Sequence, residues 1–378
     1  MPDQKNNELL YILNRYVNYG VPTALNFKYN DFSEKTISFV NSLKTTEPFS
    51  FRYAPSVGKP TIYGSVYACM LYGLFNKLEK FSVTEKIKWA EYFNSFQNTE
   101  GLFIDPCLEN DNYYNIEWWG ANHLSLHLII CYTYLGINPK HEFNYIKKYY
   151  NPSGLKAYLN NLNFDDIKTT DADNAIMNLG SLLQYQRDFF KDEHARKVLD
   201  ILFNELEKRI NPKWGSWCYG SDDDMVYLSR AQQFAYHLYP LWLYDKKPIP
   251  YMEKLIDLTL KTQTILGGFG AQLNSSACED IDAIYLLVKF TSLTDYRKEE
   301  INIALNKAFR WVLTNQNNDD GFVFKRNEPF VYGHTLTSSK KNESALFPTW
   351  FRTLSIAYLT NYLLDTNFKL IKCPGLIN

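Results

Sequence analysis

Apolar helical segments with polar starts return along this chain at about 55-residue intervals, the length of a helix pair with its loops. Six of them occupy residues 62 to 75, 116 to 136, 171 to 186, 225 to 244, 279 to 293 and 347 to 364. More charged, amphipathic segments run between them at 32 to 43, 84 to 98, 142 to 162, 193 to 210, 251 to 264 and 299 to 317. The third of these is interrupted by the breakers Asn151-Pro152-Ser153-Gly154. A helix that is apolar most of the way round must be buried on most sides, whereas a half-polar one needs only one covered face. The alternation therefore predicts two concentric layers, and closing six hairpins gives an all-α (α/α)6 toroid. The repeats span about residues 55 to 365 of one domain covering 1 to 378, preceded by a helical extension over 1 to 54.

Several outer segments end in a Gln followed by a Gly-aromatic turn: Gln97 with Gly101-Leu102-Phe103, Gln263 with Gly267-Gly268-Phe269, and Gln316 with Gly321-Phe322. Asn211-Pro212-Lys213-Trp214-Gly215-Ser216-Trp217 is a looser fourth. Glycine lets the chain leave a helix in a left-handed conformation, after which the aromatic ring packs back across the turn.

Composition narrows the function. Forty basic against forty-one acidic residues give a formal charge of -1, no general reason to approach nucleic acid or an anionic membrane. Six cysteines without a CxxC pair indicate neither a zinc ribbon nor a disulfide framework, and predict a reducing, cytoplasmic location. No run of about 18 uncharged apolar residues is present. An aromatic share of 16% suits the lining of a cavity.

In a toroid the inner-helix N-termini gather at one end, so the acids that open those helices surround a shared pocket. They are Glu117, the pair Asp171 and Asp173, and the trio Glu279, Asp280 and Asp282. An Asp at a helix start often caps it and complements the dipole. Within DADNA and DIDAI, however, only one Asp of each pair can be the cap, leaving the other to project inward. Arg230 and Arg352 lie in segments otherwise poor in charge, and a buried guanidinium needs an anionic partner, either an acid across the pore or a ligand. His123 and His127 stand four apart on one helical face, and His237 lies one stripe below Arg230 and Gln233. These histidines read as pocket or core rings, and no third ligand is placed to make a metal site.

The Gln-Gly-aromatic turns resemble the QW-type repeats of the squalene-hopene cyclase and protein prenyltransferase β-subunit superfamily. Class II terpene cyclases of that superfamily carry a Gly-Gly-aromatic turn, a Gln, and then Asp-x-Asp-Asp-Thr-Ala at an inner helix start. Here Gly267-Gly268-Phe269, Gln272 and Asp280-Ile281-Asp282-Ala283-Ile284 stand at similar spacing. Ala283 and Ile284 replace the motif's third Asp and its Thr, and no Cys-His zinc set of the prenyltransferase kind is present. The resemblance implies protonation-initiated cyclisation of an isoprenoid small molecule, with peripheral membrane contact as the route for a lipophilic substrate. It requires no cofactor, with Mg²⁺ entering only for a diphosphate substrate.

In that reading Asp282 is the general acid, Asp280 and Glu279 support it, and Trp118, Trp119, Tyr227, Tyr332 and Trp350 offer ring faces to a carbocation. Glu117, His123, Asp173, Arg230, Gln233 and Arg352 complete the substrate-binding set. The alternative is a carbohydrate-active (α/α)6 enzyme, a glycoside hydrolase, lyase or epimerase acting on an acidic sugar, which would use paired carboxylates, aromatic platforms and an Arg in much the same places. A non-catalytic toroid binding a partner at its rim is a third reading.

Overall fold

The structure, a computed structural model, describes residues 9–14, 26–164 and 170–375. Much of the N-terminal extension, residues 1–8 and 15–25, lies outside the described residues. Six inner helices follow the six apolar segments: α2 (Ile62–Leu74), α4 (Gly120–Leu135), α6 (Ala172–Phe189), α8 (Met225–Tyr244), α10 (Ala277–Phe290) and α12 (Leu346–Leu363). The outer helices are α1 (Tyr29–Ser42), α3 (Val83–Asn94), α5 (Pro152–Asn161), α7 (Glu193–Glu207), α9 (Met252–Lys261) and α11 (Lys298–Thr314). Each inner helix packs on the next and α12 returns to α2, so the inner layer is a closed ring in which α12 stands opposite α6.

The layering follows from side-chain distribution. Nearly every residue of α2 is buried, because the helix has neighbours on all sides. In α7 only the stripe Ala195, Val198, Leu199, Leu202, Phe203 and Leu206 is buried, at the spacing of one helical face. The breakers at Asn151-Pro152 begin α5 instead of splitting a helix: the Asn151 side chain accepts a hydrogen bond from Ser153 N and Pro152 fills the first turn. In the fourth inner segment the cap is acidic, with Asp224 accepting from Val226 N.

The Gln-Gly-aromatic turns close the outer helices mechanically. Gln263 Nε2 donates to Gly267 O (3.1 Å) within the turn and to Ala304 O (2.7 Å) on α11, tying one repeat to the next. Gln97 does the same with Gly101 O and His141 O. Gly101 and Gly267 adopt φ of +86° and +98°, but at the third turn the left-handed residue is Asp320 (φ 66°), not Gly321. Phe103, Phe269 and Phe322 are fully buried behind these turns.

Two further segments shape the pore. The crossover between α11 and α12 forms a short antiparallel hairpin, β1 (Phe330–Val331) with β2 (Ser338–Ser339), pairing Phe330 with Ser339. At the other end the chain after α12 crosses the C-termini of the inner helices: Lys369 N donates to Leu74 O (2.8 Å) and Tyr134 Oη to Lys369 O (2.7 Å). It then turns inward, burying Cys373 and setting Gly375 against Leu126 and Ser181.

Candidate functional site

The three acids at the start of α10 have three different environments. Ser276 caps the helix, accepting from Glu279 N (3.2 Å), while Glu279 Oε2 accepts from Ser276 N (2.8 Å); Glu279 is thus half of a capping box. Asp280 turns into the wall of the ring and accepts from Phe269 N (2.8 Å), Ser275 Oγ (2.7 Å) and Trp311 Nε1 (2.9 Å). It is also ion-paired with Arg352, both side chains being fully buried. Asp282 faces a cavity of about 390 Å³ inside the ring, and its Oδ1 is buried without a hydrogen-bond partner. Burial, reinforced by the nearby Glu279 and opposed by Arg230, holds the Asp282 carboxyl well above the usual carboxylate range. The fold thus favours the neutral acid more than water does.

Across the pore, Asp173 on α6 receives a two-pronged contact from Arg230 of α8 (2.7 and 2.8 Å) and lies 2.6 Å from His237 Nδ1. Burial alone would raise its pKa, but His237 and Arg230 outweigh burial and hold Asp173 well below the usual range, as an anion. The Arg230 guanidinium also donates to Thr170 O (2.8 Å) and Gln233 Oε1 (3.2 Å). Asp171 accepts from Glu117 N (3.0 Å) and makes no side-chain cap to α6. Glu117, pushed upward by burial, is held by Asn178 (3.0 Å) and Asn122 (3.1 Å) just ahead of α4.

The cavity has two unlike walls. One is aromatic: Phe324, Phe330, Tyr332 and Phe347 lie nearly parallel, with centroids 3.8 Å apart for Phe324–Phe330 and 4.5 Å for Tyr332–Phe347. They come from the crossover and α12. The other, carried by α6 and α8 on the opposite arc, presents Asp171, Asn174, Arg230, Gln233 and His237.

Of the residues singled out from the sequence, Trp118, His123, His127, Asp171, Arg230, Gln233, His237, Glu279, Asp282, Tyr332 and Trp350 line this cavity. Glu117, Trp119, Asp173, Tyr227, Asp280 and Arg352 do not. Asp280 makes no hydrogen bond to Asp282, its bonds going to the wall, and bears on it only through its charge. Trp119 is a core ring stacked on Tyr63 (6.3 Å, 14°). Asn174, Tyr236, Phe324 and Phe330 also line the cavity and were missed. Asn174 and Tyr236 sit one helical step from Asp171 and Gln233, a signal that was available. Phe324 and Phe330 lie in an aperiodic crossover that gives none.

No protein-family model matches the chain, and no curated protein matches it. Among solved structures it is similar to a polysaccharide lyase, with a TM-score of 0.52 and 12% identity, covering 90% of this chain and 99% of that one. It is also similar to unsaturated glucuronyl hydrolase from Streptococcus agalactiae (TM-score 0.53, 11% identity, 94% and 96% covered) and to a double mutant of that enzyme (0.54, 12%, 94% and 96%). The chain is an (α/α)6 toroid.

These likenesses overturn the terpene-cyclase expectation, and with it the isoprenoid substrate and its membrane route, since the matched structures are carbohydrate-active enzymes and not cyclases. The misleading motifs have local explanations. The Gln-Gly-aromatic turn is a way of ending an outer helix and tying it to the next, and the acids of the DIDA stretch are divided among a cap, a wall ion pair and a cavity.

Proposed function

We propose that the protein is a carbohydrate-active enzyme, a hydrolase or lyase, in which Asp282 donates a proton to the substrate. The observation that carries this reading is the buried Asp282 carboxyl, its Oδ1 unbonded, in a cavity that is aromatic on one side and polar on the other. A pyranose ring has the same division: its C–H face packs on aromatic rings while its rim of hydroxyls requires polar partners. A neutral carboxylic acid suits protonation of a glycosidic oxygen or of the double bond of an unsaturated sugar, and two further acids, Asp171 and Glu279, line the same space as candidates for the base. Folds similar to this one include an unsaturated glucuronyl hydrolase and a polysaccharide lyase, which supports the substrate class by analogy of fold. Arg230 is the cation of the lining, but Asp173, Thr170 and Gln233 already hold its guanidinium, so the reading does not depend on an acidic sugar.

The test is turnover of a panel of unsaturated glucuronyl disaccharides, saturated uronate oligosaccharides and neutral oligosaccharides. Cleavage of at least one, abolished in Asp282→Asn, is expected. Turnover that survives that substitution removes the assigned role, and absence of both turnover and binding across the panel removes the reading.

A further inference from the structure

The histidines of the cavity share an arrangement that proton donation by Asp282 does not use. On α4, His123 Nδ1 lies 3.1 Å from Asn178 Oδ1, and His127 Nδ1 lies 3.1 Å from the backbone oxygen of His123. On α8, His237 Nδ1 meets Asp173 Oδ2. Each partner is an acceptor that brings no proton. A backbone carbonyl has none, and Asp173 is ionised. The Asn178 amide is oriented by its own bonds, because its Nδ2 donates to Glu117 O (2.8 Å), which can only accept, leaving Oδ1 for His123. All three Nδ1 atoms must therefore carry the hydrogen. In a neutral imidazole the other nitrogen is then a bare lone pair.

Burial keeps the two α4 rings neutral: it drives His123 well below the ordinary histidine value and His127 down to about 4. The rings stand edge to face, 4.6 Å between centroids, and both line the cavity. Neither Nε2 has a hydrogen-bond partner among the described residues. An ion is not the occupant these atoms fit, since no three His, Cys, Asp or Glu side chains among the described residues form a group able to hold one. What fits two fixed acceptors in a row is a ligand with two adjacent donors.

We infer that His123 and His127 are the hydroxyl-reading pair of the site, accepting hydrogen bonds at Nε2 from neighbouring hydroxyls of a sugar whose apolar face rests on the aromatic wall. The inference rests on the carbohydrate reading and deepens it by making this pair a determinant of specificity. A carboxylate, a phosphate diester or a hydrocarbon brings no donor and gains nothing at these atoms. A sugar lacking one of the two hydroxyls leaves a buried acceptor unmet and should bind about 10- to 100-fold more weakly.

The experiment uses the full chain with ¹⁵N-labelled histidine at pH 7. Long-range ¹H–¹⁵N correlations are recorded alone and with an unsaturated glucuronyl disaccharide and a neutral disaccharide, and His123→Asn and His127→Asn serve only to assign peaks. Expected are Nδ1–H tautomers at both positions, and Nε2 resonances that move when a saccharide binds while Nδ1 stays. An Nε2–H tautomer or an imidazolium at either ring overturns the inference and leaves the carbohydrate reading intact. So does saccharide binding that shifts neither Nε2. If the tautomers are as expected but no saccharide binds or is turned over, both fall together.

Discussion

The two Asp-x-Asp openings, DADNA on α6 and DIDAI on α10, have the same spacing and opposite assignments. On α6 the first acid, Asp171, lines the cavity and the second, Asp173, is locked by Arg230. On α10 the first, Asp280, is locked by Arg352 and the second, Asp282, lines the cavity. Each guanidinium comes from the next inner helix round, and the difference lies in which side of the ring it occupies. Arg230 is carried by α8, the next inner helix round from α6, and lies among the lining residues of the cavity. Arg352 is carried by α12 and is fully buried, where it also donates to Ser275 O and Phe324 O (3.1 Å each). A helix-opening acid is thus sorted into structure or site by the cation its neighbour supplies, not by its place in a motif.

The largest expected effect separates the two acids of α10. Asp282→Asn should lower turnover of the cleaved saccharide by about 10²- to 10⁴-fold without loss of folding stability. Steady-state kinetics with a urea melt checks both halves, and equal damage to stability would erase the contrast with Asp280. Next comes Arg352→Met, which strands Asp280 as a buried unpaired charge and should cost about 3–5 kcal/mol in chemical denaturation. Arg230→Met should cost less, since that guanidinium is partly exposed and His237 remains to partner Asp173. A greater loss at Arg230 would reverse the ranking of the two pairs.

Acidity provides a third comparison, in which the signs differ. Asp282 has a raised pKa in the fold, so its stabilising share is complete below the unfolded value of about 3.9 and is lost as pH rises towards the folded value. Asp173 is depressed, so its share is present above about 3.9 and is lost as pH falls towards its folded value. The stability advantage of Asp282→Asn over the natural chain should therefore grow between pH 4 and pH 7, whereas the deficit of Asp173→Asn should shrink below pH 4. Paired denaturation curves across pH read both, and slopes of the same sign would contradict the assignment. The smallest effect concerns the turn that delivers Phe269 N to Asp280: Gln263→Ala should cost about 1 kcal/mol and leave turnover unchanged. A fall in turnover would give the Asp280 side of the helix a part in the chemistry.

The toroid was legible because burial imposes periodicity: fully apolar against half-apolar segments told the layers apart, and the six hairpins followed. The site was legible only where it sits on those periodic helices, as with Asp282, Arg230 and Gln233. The aromatic wall depends on Phe324 and Phe330, held by a crossover whose course is set by tertiary packing, and no spacing announces it. The chemistry was misread for a related reason. Asp280-Ile281-Asp282 and the glycine turn before it were given a catalytic meaning as a block, although Asp280 owes its place to Arg352, 72 residues further along the chain.

The course of the chain after α12 bears on what can enter. Gly375 lines the cavity beside Leu126 and Ser181, well along α4 and α6, whereas Trp118 lines it just ahead of α4, so chain from beyond the last inner helix borders the cavity away from the helix starts. Whatever occupies the cavity meets there a stretch of backbone that belongs to none of the six hairpins.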